Sequence, residues 1–269
     1  MIILKIGLAQ IDIIWEDKEK NKEKCTVFVK EAALKGVNII LFPEMTLTGF
    51  SMNIEKIGED NNETVTWFIS LAKKYNIHIG FGHSEKANTK AYNKYSIVSP
   101  LGYNICNYSK IHPFSFGTES NFYYGGNNIY SCKIDDFTLT PFICYDLRFP
   151  EIFQIASKSS ALITVAANWP LARREHWILL LRARAIENQC YIAAVNRVGS
   201  GDNLVYSGDS MIIDPLGNIL YPKSLEDVYN KESLIIGEIN INTVSDIRNT
   251  FPLKSDRKEI LYLQLYDKE

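Results

Sequence analysis

The stretch FTLTPFICYDLRFPEIFQIASK, residues 137–158, runs from a β-branched and aromatic segment, through a cysteine, into a polar turn and then a segment of helical spacing. Pro150 suits the first position of that helix, where its fixed φ is helical and its missing N–H is not needed. A strand that delivers a helix through a short turn is a unit of α/β architecture. The residue at the junction, Cys144, sits where pockets form in such sheets, at the carboxyl end of a strand. It is either a small buried hydrophobe or a nucleophile held at a strand end.

The same alternation extends in both directions. IILKIGLAQ reads as a strand, and Asp17–Lys35 as an amphipathic helix with Val27, Phe28, Ala32 and Leu34 among its apolar positions. VNIILFPE is a buried strand, a helix follows near Glu63–Tyr75, and IHIGFGH is the next strand. KYSIVSP and YNICNYS form a hairpin over Pro100-Leu101-Gly102, and IYSCKI pairs with FTLTPFIC across Asp135-Asp136. Downstream, ALITVAA and YIAAVNR are interior strands joined by a long helix, Arg173–Cys190. MIID and NILY fold over Asp214-Pro215-Leu216-Gly217, and LIIGEIN follows. Helix-linked strands predict parallel pairing and hairpins predict antiparallel pairing, so a mixed α/β fold with helices covering the sheets is expected. With no repeat, low-complexity tract or linker, residues 1–269 are expected to form one domain.

Composition narrows the function. Hydrophobic residues make up 46% of the chain and charged residues 22%, which suits a soluble protein with a sizeable core. Lys+Arg number 29 against 31 Asp+Glu, and a helix spreads Arg173, Arg174, Arg182 and Arg184 around its circumference. A solvated, ion-paired helix is expected there, and no nucleic-acid partner. No apolar run approaches the ~18 residues of a membrane span, so no membrane association is expected. The opening MIILKIGLAQ is too short for a signal peptide and lacks a cleavage-type segment. The five cysteines (25, 106, 132, 144 and 190) are odd in number and never in CxxC form. They point to a reducing, cytoplasmic location without disulfides or thiolate zinc. His78, His83, His112 and His176 show no ligand spacing, so neither metal nor cofactor is expected.

Three stretches put a reactive side chain just past a strand: LFPEM with Glu44, YSKIHPF with Lys110 and PFICYDLRFPE with Cys144. Each alone is a weak signal, since a glutamate after Phe-Pro or a single lysine is ordinarily a surface residue. Together they resemble the nitrilase superfamily of carbon–nitrogen hydrolases, whose Glu-Lys-Cys triad sits in these contexts. The resemblance runs from GLAQ at residue 7 through DPLGNIL, and CYDLRFPE is its most specific part. It implies a four-layer α-β-β-α sandwich of two mixed sheets flanked by helices, with Cys144 as the nucleophile.

The chemistry fits that pattern. A thiol is a weak nucleophile at neutral pH, and Cys144 is expected just before a helix start, where the dipole and free N–H groups favour the thiolate. Glu44 can take the thiol proton and return it to departing ammonia. Lys110, with the Tyr145 backbone N–H, is expected to hold the oxyanion. The resemblance adds Glu119 in FGTES as an orienting partner of Lys110. Asp146 and Arg148 read as an acid and base that lock the cysteine turn.

ANWP (167–170), REHW (174–177) and SGDSMIIDPLG (207–217) are similar to the omega-amidase branch, which implies small amides bearing a carboxylate, such as 2-oxoglutaramate. Asn168 and Trp169 are then expected to line the pocket, and Arg173 or Arg174 to receive the carboxylate. Ser109 and Pro113 stand where that pattern has Asp and Leu, beside a pocket wall expected at Phe114–Phe116. The superfamily also contains other small-amide, carbamoyl and nitrile hydrolases. A Cys-His hydrolase using His112 or His176, and a non-catalytic interaction module, are the readings from other classes. Family members pair through helices beside the cysteine segment, so a homodimer is expected, using helix 173–190 and the tail ILYLQLY with Ile260, Leu261, Leu263 and Leu265.

Overall fold

The computed structural model describes residues 3–266. In chain order its elements are β1 (Ile3–Gln10), α1 (Lys18–Leu34), β2 (Ile39–Leu41), α2 (Ile54–Ile57), α3 (Glu63–Tyr75), β3 (His78–Ala87), β4 (Lys90–Val98) and β5 (Asn104–Ser109). Then come α4 (Glu119–Phe122), β6 (Tyr123–Tyr124), β7 (Cys132–Ile134), β8 (Phe137–Ile143), α5 (Pro150–Ala156), β9 (Leu162–Ala167), α6 (Arg174–Asn188) and β10 (Tyr191–Asn196). The remainder is β11 (Val198–Gly201), β12 (Leu204–Ser207), β13 (Met211–Ile213), β14 (Ile219–Tyr221), β15 (Ser233–Asn240), α7 (Ile241–Thr250) and α8 (Glu259–Tyr266).

Two mixed sheets carry the fold. One has the order β15-β1-β2-β3-β4-β5, with β6 beside β4; the other has the order β14-β13-β10-β9-β8-β7. The helix-linked pairs β1–β2, β2–β3, β8–β9 and β9–β10 are parallel, and the hairpin pairs are antiparallel. Side-chain alternation builds the layers. On β2, Ile39 and Leu41 join the core between the sheets, whereas Ile40 and the following Phe42 meet α1 and α3 through Val29 and Phe68. Phe153 on α5 and Trp177 and Leu181 on α6 close the outer face of the second sheet. The result is the four-layer α-β-β-α sandwich.

Some local readings need correction. Helix α1 is capped by the Asp17 side chain as its sequence suggests, yet its buried face is Asn21, Cys25, Val29 and Ala32. Val27 and Leu34 point to solvent. The face is set by the packing against α3 and the sheet, and Lys and Glu at most other positions left its apolar stripe ambiguous. Arg184 is not a solvated helix charge. It is buried, and its guanidinium donates twice to the Leu147 carbonyl behind the cysteine turn.

Candidate active site

Lys110 and Cys144 directly follow the last residues of β5 and β8, and Glu44 lies three residues past the end of β2. Glu44 enters a tight turn in which Met45 is left-handed, at φ 47°. Strand β3 runs against this turn, and a Cβ on Gly82 would lie 2.3 Å from Met45 N and 2.8 Å from Glu44 Cα. Only glycine permits that approach. Lys110 is fixed through its backbone: its N–H donates to Asn93 O at 2.9 Å, and its carbonyl accepts from Gly126 N at 2.8 Å.

Cys144 takes φ 46°, a conformation costly for a non-glycine residue and one found where a site over-determines its backbone. Asp146 supplies that restraint. Its Oδ2 accepts from Ile143 N at 3.1 Å and Tyr108 Oη at 2.7 Å, and its Oδ1 accepts from His112 N at 3.0 Å. The His112 ring also reaches Asp146 Oδ1, at 2.8 Å, and stacks on Phe149. His176 lies exposed beside Arg148, 3.3 Å from its guanidinium. Both rings are thus engaged elsewhere, which removes the support for a Cys-His pair. The helix start expected beyond the cysteine turn is present. A 3-10 turn spans residues 144–148, and α5 begins at Pro150.

Lys110 binds both glutamates. Its Nζ lies 2.9 Å from Glu44 Oε1 and 2.8 Å from Glu119 Oε2, with all three side chains buried. Glu119 is held by the Phe114 N–H. Glu44 Oε2 accepts from the Asn168 N–H at 2.9 Å, and Asn168 Nδ2 donates to the Glu44 carbonyl at 2.6 Å. Asn168 therefore serves the glutamate as well as lining the cleft.

Burial and the neighbouring charges shift the titrating groups. Burial pushes the Cys144 thiol well above its ordinary range, and Glu44 adds to the rise; Lys110 and the Asn168 N–H oppose it. That direction opposes the thiolate which the helix start was expected to favour. Burial works against the charge on Lys110, but Glu119 and Glu44 outweigh it and hold the ammonium above the usual lysine range. Burial raises the Glu119 carboxyl; Lys110 opposes that rise, and Glu44 adds to it.

Cys144 and Lys110 open onto a narrow cleft walled by Phe50, Phe114, Tyr145, Arg148, Trp169, Pro170, Arg173 and Leu204. Its free space is about 40 Å³. Phe114 forms the wall against Tyr145, whereas Phe116 projects into solvent at 86% exposure.

The two candidate arginines separate. Arg174 is committed to Asp209 by a fork of three contacts at 2.7–3.0 Å and does not line the cleft. Arg173 does, resting on the Phe114 ring. Arg148, read from sequence as a lock of the turn, instead lies 4.9 Å over the Trp169 ring at the cleft wall. Among the described residues, neither Arg148 nor Arg173 is paired with a carboxylate.

A carbon-nitrogen hydrolase family model matches residues 5–249. The chain belongs to that family, and it is an enzyme that hydrolyses amide carbon–nitrogen bonds. It is 32% identical over 261 residues to the 2-oxoglutaramate amidase of Bacillus subtilis (strain 168), covering 96% of this chain and 98% of that one. It is likewise 32% identical to the omega-amidase YafV of Yersinia enterocolitica, over 98% and 100% of the two chains. A CN-hydrolase superfamily protein of Xanthomonas campestris, solved with an arsenic adduct in its active site, superposes with a TM-score of 0.88 at 31% identity. That match covers 96% of this chain and 98% of the other. Among the described residues, no helix is long and apolar enough to cross a membrane.

Proposed function

We propose that this enzyme is an omega-amidase-like hydrolase, releasing ammonia from small amides that carry a carboxylate a few carbons from the amide. Cys144 Sγ attacks the amide carbon while Glu44 takes the thiol proton. Burial raises the thiol's pKa, so a base beside it favours the attack. The carbonyl oxygen becomes an oxyanion facing Lys110 Nζ and the Tyr145 N–H. Glu44 hands its proton to the departing nitrogen, ammonia leaves, and the acyl group remains on Sγ as a thioester. Glu44 then takes a proton from water, which attacks the thioester, and the proton returns to Sγ as the acid departs.

The observation that carries the substrate class is the pair of carboxylate-free arginines, Arg148 and Arg173, in the same cleft as Cys144. A guanidinium is the preferred partner of a carboxylate that must leave water. The names of the two amidase relatives support the same class. Succinamate or 2-oxoglutaramate should therefore be hydrolysed about ten- to a hundredfold faster than butyramide, the value of one charge-assisted contact. Arg173→Met should cost the charged amide far more than butyramide. Equal rates on charged and neutral amides would leave only a general small-amide hydrolase.

A second copy of the chain is the proposed partner. Ile155 on α5 and Ile260, Leu261, Leu263 and Leu265 on α8 are all exposed. Two grooves of about 480 and 600 Å³ run between these helices, and neither contains Glu44, Lys110 or Cys144. Burying this face in a homodimer removes an apolar patch that water disfavours. Light scattering at micromolar concentration should give twice the chain mass; a monomer there overturns the proposal.

A further inference from the structure

Asn93 lies within β4, and its side chain is buried between two carboxylates. Its amide nitrogen donates to Glu44 Oε1 at 2.8 Å and to Glu119 Oε1 at 2.9 Å. The same two oxygens accept from Lys110 Nζ, at 2.9 and 3.1 Å. Four atoms therefore close a ring of alternating donors and acceptors: Lys110 Nζ, Glu44 Oε1, Asn93 Nδ2 and Glu119 Oε1. The Asn93 backbone joins in, since its carbonyl receives the Lys110 N–H.

Both amide hydrogens are spent on carboxylates, while Asn93 Oδ1 is buried without a partner among the described residues. An orphaned buried acceptor is costly and calls for a reason. Turning the amide over would aim that oxygen at two carboxylates, so the ring dictates the observed orientation. A neutral donor also does what a second cation could not. It satisfies both carboxylates without cancelling the negative charge of the base.

We propose that Asn93 is a positioning residue for the hydrolytic reaction, its amide fixing the Glu44 carboxylate beside Cys144 and spacing it from Glu119 around the ammonium they share. The inference rests on the reading of Glu44 as the base. The titratable groups facing Glu44 are Lys110 after β5, Cys144 after β8, Glu119 on α4, Tyr123 on β6 and Tyr206 on β12. Lys110 already donates to both glutamates and the Tyr123 hydroxyl already donates to the Ser51 carbonyl, so neither is free to replace the lost donor. A donated N–H favours the carboxylate anion, so its removal moves the acid limb of kcat/KM to higher pH.

The experiment compares kcat, KM, pH profile and thermal midpoint for Asn93→Ser and Asn93→Leu on succinamate. Serine offers one hydroxyl for two carboxylates, and leucine offers none. The leucine variant should lose about ten- to a hundredfold in kcat at nearly unchanged KM, with serine intermediate. The acid limb should climb in the order wild type, serine, leucine. Should the leucine variant not fold, the serine variant alone decides. A kcat loss that follows the thermal midpoint while the acid limb stays fixed makes Asn93 merely structural and overturns the proposal. If Glu44→Gln is inactive but Asn93→Ser keeps the wild-type kcat and profile, this inference alone falls. If wild type is inert on amides, or Glu44→Gln stays active, the reading of the base falls and takes this inference with it.

Discussion

Cys144→Ala is expected to reduce amide turnover by at least about four orders of magnitude, because among the described residues no other thiol lines the cleft to take the acyl group. The substitution removes one sulfur and leaves Glu44, Lys110 and Glu119 bound to each other as before. Alanine also tolerates the left-handed backbone there no worse than cysteine, so circular dichroism and the thermal midpoint should hardly move. Mass spectrometry of the wild type quenched during turnover should find an acyl group on Cys144, and the variant should carry none. Because burial raises the thiol's pKa, alkylation of the free enzyme should be slow at neutral pH and accelerate as pH rises. Appreciable turnover by Cys144→Ala would mean that water attacks the amide directly, and the thioester route would fall.

Glu44, Lys110 and Cys144 stood out in the sequence because each lies near a strand end, where periodicity breaks and a polar or reactive side chain is conspicuous. The strand frame was legible in the sequence for the same reason, since β-branched runs separated by Pro-Gly and Asp-Asp turns have few other solutions. What it could not disclose is orientation. Asn93 in KAYNKYSI reads as one polar residue in a strand of mixed character, and only the pairing of β4 with the Lys110 backbone puts its amide between two glutamates. Arg173 and Arg174 are equally plausible cations on paper. Asp209, thirty-five residues beyond Arg174 in the chain, decides which of them is already spoken for. The hairpin of β3 and β4 was seen only in part. Its turn residue Asn88 is left-handed, and the Asn-Thr-Lys step of ANTKAY was the available signal. Helix α7 was also legible in principle, since Asn240 caps Asn242 ahead of Val244 at helical spacing.

Lys110→Met is expected to lower kcat by about 10²–10³ with a modest change in KM, since the ammonium is worth most once the oxyanion has formed. The loss should have two parts. The oxyanion is left with the Tyr145 N–H, and the two buried glutamates lose the cation that both contact. A proton will then be taken up between Glu44 and Glu119, because two buried carboxylates in one network resist joint ionisation. That proton deprives Cys144 of its base, so the acid limb of kcat/KM should move to higher pH as well. Removing one member of a buried ion network typically costs about 3–5 kcal/mol, and uptake of the proton should bring the observed loss below that range. The double variant Lys110→Met/Glu119→Gln separates the two contributions. Deleting one carboxylate along with the cation restores the charge balance of the site, so thermal stability should largely return. Turnover should not return, because no cation faces the oxyanion. A double variant that recovers kcat together with stability would make Lys110 a structural counter-ion, and a single variant that raises KM at constant kcat would reassign it to ground-state binding.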